Sequence, residues 1–117
     1  MSRTSDLWEL WHHFNRRYFG SKLTPPLTIR LTRAQKYQGS LVWKAHKNAD
    51  KPLRSHIKRC KIHISSYLSW YETVGTLLHE MVHQYQLQAL EVGPCHDATF
   101  RVMCKWIERE TKFQLRK

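Results

Sequence analysis

The segment from Ser69 to Pro94 most constrains the fold, because one helix within it must serve a core and a chemical site at once. Ser69-Trp70-Tyr71-Glu72 is a capping box, with Ser69 as N-cap and Glu72 at N3. Gly93-Pro94 supplies a stop. Between them Val74, Leu77, Leu78, Met81, Val82 and Tyr85 recur at helical spacing, which predicts an apolar stripe packed into the core. The same helix carries His79-Glu80-Met81-Val82-His83. Residues four apart on an α-helix stand about 40° around the axis and roughly 6 Å along it, so His79 and His83 can converge on one metal. Glu80 lies beside them, within reach of a water, as the prospective general base. The histidines are thus predicted on a buried or half-buried helix.

A catalytic zinc site takes three protein ligands and keeps a fourth position open. His96 is the leading third ligand. It follows the breaker Gly93-Pro94 and precedes Asp97, a good N-cap for a helix with Phe100, Met103, Cys104 and Ile107 on one face. Glu91, Glu108 and Glu110 are the carboxylate alternatives. Such a site supports metal-assisted amide hydrolysis, in which Glu80 takes a proton from the attacking water and passes it to the leaving amine. Tyr37, Tyr85 and Arg101 are oxyanion-stabilising candidates by side-chain type, although Tyr85 falls on the apolar stripe and reads first as core. Cys95 is either a further zinc ligand that would close the site or, the preferred reading, a small packed turn residue. Gly75, inside the helix, predicts the close approach of a neighbouring backbone. His12, His13, His46, His56 and His63 share no ligand spacing and are read as surface residues.

In this order the motifs resemble the SprT-like (Spartan-like) zinc metalloprotease domains. Their pattern joins an HExxH helix to a later His-Gly-x-x-Phe, and here His79-Glu80-Met81-Val82-His83 is followed by His96-Asp97-Ala98-Thr99-Phe100. Upstream, Phe14-Asn15, Tyr18-Phe19-Gly20 and Leu23-Thr24-Pro25 resemble the family's first helix and its Phe-Gly-Gly-x-Leu-Pro turn. Gly39 matches a glycine opening the second strand, and Ile62-His63-Ile64-Ser65 with Leu68 is similar to the strand and loop before the active-site helix. The resemblance runs from residue 7 to residue 107. It implies a minimal zincin-like fold with Zn2+ on His79, His83 and His96, and a substrate protein bound or crosslinked to DNA. Asp97 departs from the pattern, standing where the family has glycine. The three cysteines, at 60, 95 and 104, cannot build a four-cysteine zinc ribbon, so any nucleic-acid contact is expected from the catalytic domain itself.

The rest of the chain agrees with one domain spanning 1–117. At 117 residues and 41% hydrophobic it can bury a single core, and no linker-like or repeated stretch divides it. Asp6-x-x-Glu9 is read as capping a first helix with Leu7, Leu10, Trp11, Phe14 and Tyr18 on one side, ending at Gly20. After Pro25-Pro26, alternation of Leu27, Ile29 and Leu31 predicts one strand, Leu41, Trp43 and Ala45 a second, and Cys60 to Ile64 a third. Lys47 to Lys58, with Pro52, reads as a connecting loop. A helix, three strands and two helices make an α+β layer fold.

No apolar signal core and no membrane-length run is present, so the expectation is a non-secreted protein of the cytoplasm, nucleoid or nucleus, without a membrane. An odd number of cysteines fits reduced thiols. A net charge of +11 with pI near 10.0 exceeds what solubility needs and points to a polyanion, with DNA bound electrostatically and without sequence preference. Lys44, Lys47, Lys51, Arg54, Lys58, Arg59 and Lys61 form one basic group, and Arg101, Lys105, Arg109, Lys112, Arg116 and Lys117 a second. Trp43 is placed either to stack on an unpaired base or to join the core. The partners expected are therefore a protein or peptide substrate and DNA; nothing in the pattern specifies an oligomeric state. Two other readings stand beside this one: a non-catalytic nucleic-acid-binding protein with a structural three-His zinc, and a peptidase whose basic surface recruits acidic protein.

Overall fold

The computed structural model describes residues 3–33, 37–43 and 60–115. The predicted loop from Lys47 to Lys58, Ala45, His46, His56, the basic group from Lys44 to Arg59, and Arg116 and Lys117 lie outside the described residues. Along the chain come α1 (Arg3–Tyr18), β1 (Thr28–Thr32), β2 (Gly39–Val42), β3 (Lys61–Ser65), α2 (Trp70–Gln88) and α3 (Ala98–Thr111). This is the α+β arrangement expected, compatible with a minimal zincin-like fold.

β3 is the central strand, parallel to β1 and antiparallel to β2. Ile29 and Leu31 of β1 stand opposite Ile62 and Ile64 of β3, which in turn face Leu41 and Gly39 of β2. Because side chains alternate along a strand, these residues share one face, and Ile29, Ile62 and Ile64 are buried there against the helices. Leu27 breaks the expected alternation. It is 58% exposed, because the strand begins only at Thr28 and the Leu27 amide is held by the Cys60 carbonyl. His63, read as a surface residue, is half-buried on the other face; desolvation first, then the cations of Arg30 and Lys61, lower its pKa.

α1 starts earlier than the sequence suggests: it is helical from Arg3, so Asp6 lies inside its first turn rather than at the N-cap, and it ends at Tyr18. Leu7, Trp11 and Phe14 are buried as predicted. Asn15 closes the turn that follows, its amide donating to the Leu23 carbonyl and accepting from the Leu23 amide, each at 3.1 Å. The chain then enters β1 with Leu23 in the core.

α2 has the predicted capping box, with both reciprocal bonds between Ser69 and Glu72 present. Its stripe is wider than expected. From Thr73 through Gln84 every residue is buried, because β2 and β3, α1 and α3 all pack on this helix. A helix enclosed on all sides must satisfy its polar residues internally, which is the condition for a built site. Gly93-Pro94 does not end it: α2 stops at Gln88, and the reversal is made by Leu90 and Val92 amides bonding back to Tyr85 and Gln86 carbonyls, with Glu91 left-handed at φ 58°. Among the described residues no helix is long and apolar enough to cross a membrane. Ser69→Ala removes a cap side chain and should cost about 1 kcal/mol of stability, seen as a fall of roughly 4 °C in the thermal midpoint.

Candidate metal centre

α2 presents His79 and His83 inward, 3% and 7% exposed, and the turn before α3 brings His96 to them from the solvent side. His96 Nε2 lies 3.2 Å from His83 Nε2 and 3.4 Å from His79 Nε2. Ligand nitrogens about 2.0 to 2.1 Å from a tetrahedral zinc stand roughly 3.3 to 3.4 Å from each other, so the two spacings at His96 have the size such an ion requires, and all three ligand atoms lie within 4.8 Å of one another.

The protons on these rings are set by what lies behind them. His83 Nδ1 faces Gln86 Oε1 at 2.8 Å, and His79 Nδ1 faces the main-chain carbonyl of Leu115. A carbonyl oxygen only accepts, so both rings carry their hydrogen on Nδ1 and turn an Nε2 lone pair toward the centre. Converging lone pairs repel each other unless a cation sits among them. The donor set, its size and its tautomers all fit a metal ion.

Each ligand is held by a neighbour. Gln86, fully buried, accepts from His83, donates to the Cys95 carbonyl at 2.9 Å and accepts from the Cys95 amide at 3.2 Å, so one side chain ties the second ligand to the turn carrying the third. Arg101 Nη1 donates to the His96 carbonyl at 2.7 Å. Phe100 stacks on the His83 ring, centroids 4.4 Å apart and 13° from parallel, and meets His79 and His96 at 5.0 and 4.8 Å. Asp97, the departure from the family pattern, has φ −78° and needs no glycine; its carboxylate caps α3 by accepting from the Phe100 amide at 2.8 Å. That bond, ahead of the other contributions, lowers the Asp97 pKa.

Glu80 is 2% exposed, next to His79 on α2. Gly39, opening the edge strand β2, lies directly over it: a Cβ there would come within 2.5 Å of Thr76 Cγ2 and 3.3 Å of Glu80 Oε2. Any larger residue would have to displace the Thr76 methyl and crowd the carboxylate.

The remaining candidates separate clearly. Glu91, Glu108 and Glu110 are not in the cluster, which among the described residues comprises the three imidazoles alone. Cys95 is outside it too, and it is exposed rather than a packed turn residue, although Gln86 holds its main chain and approaches its sulfur at 3.8 Å. Cys60 and Cys104 are buried free thiols, pushed up to about 11 and about 12 by desolvation, with Glu108 adding to the rise at Cys104. Tyr85 packs against the core and on Phe19, ring centroids 5.9 Å apart. Tyr37 is exposed just ahead of β2, and Arg101 has a nitrogen committed to His96. Trp43 is half-buried, and His12 and His13 are exposed as expected.

Sequence reasoning missed the glutamines. Gln84 accepts from the Trp11 indole at 3.1 Å and donates to the Thr24 carbonyl at 2.7 Å, while Gln88 accepts from the Thr24 amide at 2.8 Å. The signal available was Gln84, Gln86 and Gln88 following His83 on a helix whose other residues are mostly apolar.

The SprT-like family profile matches residues 7–117, and the chain belongs to the SprT-like family. That family is generally one of metalloproteases, which agrees with a cluster able to hold a metal ion. A comparison with curated proteins returned no match.

Metal titration should find one ion per chain. His96→Ala should abolish stoichiometric binding, while Gln86→Ala should weaken it by roughly 10- to 100-fold, the usual effect of losing a group that orients a ligand. Atomic absorption and competition with a chromogenic chelator measure both.

Proposed function

We propose that this protein is a zinc-dependent metallopeptidase of SprT-like type that acts on proteins associated with DNA. The observation that carries the reading is the convergence of three imidazole Nε2 atoms beside a buried carboxylate, Glu80, on the same helix. Bound zinc would acidify a water and polarise the scissile carbonyl. Glu80 would serve as the general base for an attacking water and as the proton donor to the leaving amine. His79, His83 and His96 hold the ion, the first two with their tautomers set in advance.

Two features support a peptide substrate. β2 is a terminal strand of the sheet, and among the described residues no strand pairs with its outer side, so an extended peptide can add there beside Glu80. A cavity of about 640 Å³ opens next to Phe100, between the first turn of α2, α3 and residues 112–114. Tyr71, Phe100, Cys104 and Phe113 make it apolar, and Arg101, Lys105 and Lys112 outnumber the one acid, Glu108, a lining suited to a bulky substrate side chain with acidic neighbours. A structural zinc would be closed by a fourth protein ligand, and Cys95, the thiol best placed in sequence for that, is not in the cluster.

The DNA part of the reading rests on charge. The net +11 is joined by a run of exposed cations on and just after α3, at Arg101, Lys105, Arg109 and Lys112. Such a surface attracts phosphate without reading bases and would concentrate the peptidase on DNA-bound proteins.

Glu80→Gln should keep zinc and the fold while reducing hydrolysis of an unfolded protein substrate by at least about a hundredfold, the range expected for losing a general base. Equal cleavage by both proteins would remove Glu80 from the mechanism. No cleavage by the wild type, with or without DNA, would favour the non-catalytic reading.

Fluorescence anisotropy with single- and double-stranded oligonucleotides should find binding indifferent to sequence. Affinity should fall by on the order of tenfold or more between 50 and 200 mM salt, as counterion release requires for even a few phosphate contacts. Joint replacement of Lys105 and Arg109 by Glu should weaken it further. Absence of binding at low salt would leave a peptidase for acidic protein partners as the better account.

A further inference from the structure

The chain does not leave the molecule when α3 ends. Lys112 turns in the left-handed conformation at φ 68°, and residues 113–115 run back along α2. Three of residues 112–115 are fastened by hydrogen bonds. The Tyr71 hydroxyl donates to the Lys112 carbonyl, the Phe113 amide to Thr111 Oγ1 at 3.2 Å, and the Leu115 amide to Glu108 Oε2 at 2.8 Å. The Gln114 carbonyl lies so close to α2 that a Cβ on Gly75 would collide with its oxygen. The Leu115 side chain is 1% exposed, inside the core. At the end of this path the Leu115 carbonyl meets Nδ1 of His79.

We propose that residues 112–115 form a strap that positions His79 for the metal, with Glu108 and Gly75 as the positioning residues that hold the strap in place. The inference rests on the reading of the three imidazoles as a zinc site. Burial of Leu115 alone would need only its side chain; the carbonyl is the part that bears on the ligand. As an acceptor it holds the His79 proton on Nδ1, fixes the ring plane and leaves the Nε2 lone pair directed toward His83 and His96. Glu108 fixes the carbonyl by gripping the amide of the same residue, and Gly75 gives the strap room to reach that depth. Glu108 thus acts on the metal site without touching the ion. Its carboxylate, a ligand alternative by sequence, is used two steps behind His79, through Leu115.

The test uses the full chain with Glu108→Ala, Glu108→Gln and Gly75→Ala, and reads two quantities without any peptide substrate, so its outcome does not depend on peptidase activity. Imidazole 15N shifts of the metal-free wild type at pH 8 should show His79 as the Nδ1–H tautomer. Glu108→Ala and Gly75→Ala should move it toward a mixture of tautomers and weaken zinc binding, measured by chelator competition, by roughly 10- to 100-fold. Glu108→Gln retains an oxygen that can accept from Leu115 and should restore near-wild-type values in both. A merely structural strap would lower the thermal midpoint of the metal-free variants and leave the tautomer and the zinc affinity alone. The proposal is overturned if wild-type His79 carries its proton on Nε2, or if folded Glu108→Ala binds zinc as tightly as the wild type. Should Gly75→Ala fail to fold, these two readings still decide.

Discussion

The structure depends on two imidazoles being buried inside a helix with their lone pairs aimed at each other's neighbourhood. His79 and His83 are almost wholly removed from water, and neither could stay there with an unmet Nδ1 proton, since a buried polar group without a partner costs about 1 to 3 kcal/mol. The surrounding elements answer that need one by one. The Leu115 carbonyl comes from the strap, the Gln86 amide from the next turn of α2, and the Phe100 ring from α3. The same contacts that make burial tolerable leave Nε2 of each ring as the atom that faces the centre and could ligate an ion. Packing and chemistry are therefore one arrangement, and the candidate metal site is a consequence of how α2 is enclosed.

Enclosure also explains where side chains are absent. α2 is approached from one side by β2 at Gly39 and from another by the strap at Gly75, and at both points a single added carbon would collide with its neighbour. Gly39 brings an edge strand over Glu80, while Gly75 brings a carbonyl chain toward His79 one turn further along the helix. A glycine inside a helix lowers its stability by about 1 kcal/mol relative to alanine. Here the closeness it permits is used by the hydrogen bond behind His79, a candidate metal ligand.

Features set by local chemistry were legible in the sequence. The Ser69–Glu72 capping box, the HExxH spacing and the Asp97 cap each depend on residues within four positions, and each is present in the fold. Gly75 was legible too, because a glycine weakens a strongly patterned helix unless a backbone must pass close to it, as the Gln114 carbonyl does. What escaped depended on contacts distant in the chain. Gln86 reaches Cys95, Gln84 reaches Trp11, and Leu115 reaches His79 over 36 positions, and no periodicity encodes such pairings. The two misplaced helix boundaries follow the same division. Asp6 could cap a helix, but the chain was already helical from Arg3; Gly93-Pro94 could stop one, but Gln86 and Tyr85 carbonyls had turned the chain earlier.

Metal and fold should consequently be linked more tightly than ligand count alone suggests. His96 Nε2 stands 3.2 Å from His83 Nε2 and 3.4 Å from His79 Nε2, and without an ion one proton can be donated to only one of the two at a time, a crowding that an ion would remove. His96 is the ligand that can relieve it, being exposed and carried on a turn, whereas His79 and His83 are locked in α2. An ion binding only the native state adds RT ln(1 + [L]/Kd), about 2.7 kcal/mol at a hundredfold excess over Kd. That stabilisation would act through His96 on the turn fastened by Gln86 and Arg101, and so on the start of α3 and on Phe100 behind the three imidazoles. The metal would thereby order the last wall of its own site, while the helix that carries Glu80 is already in place.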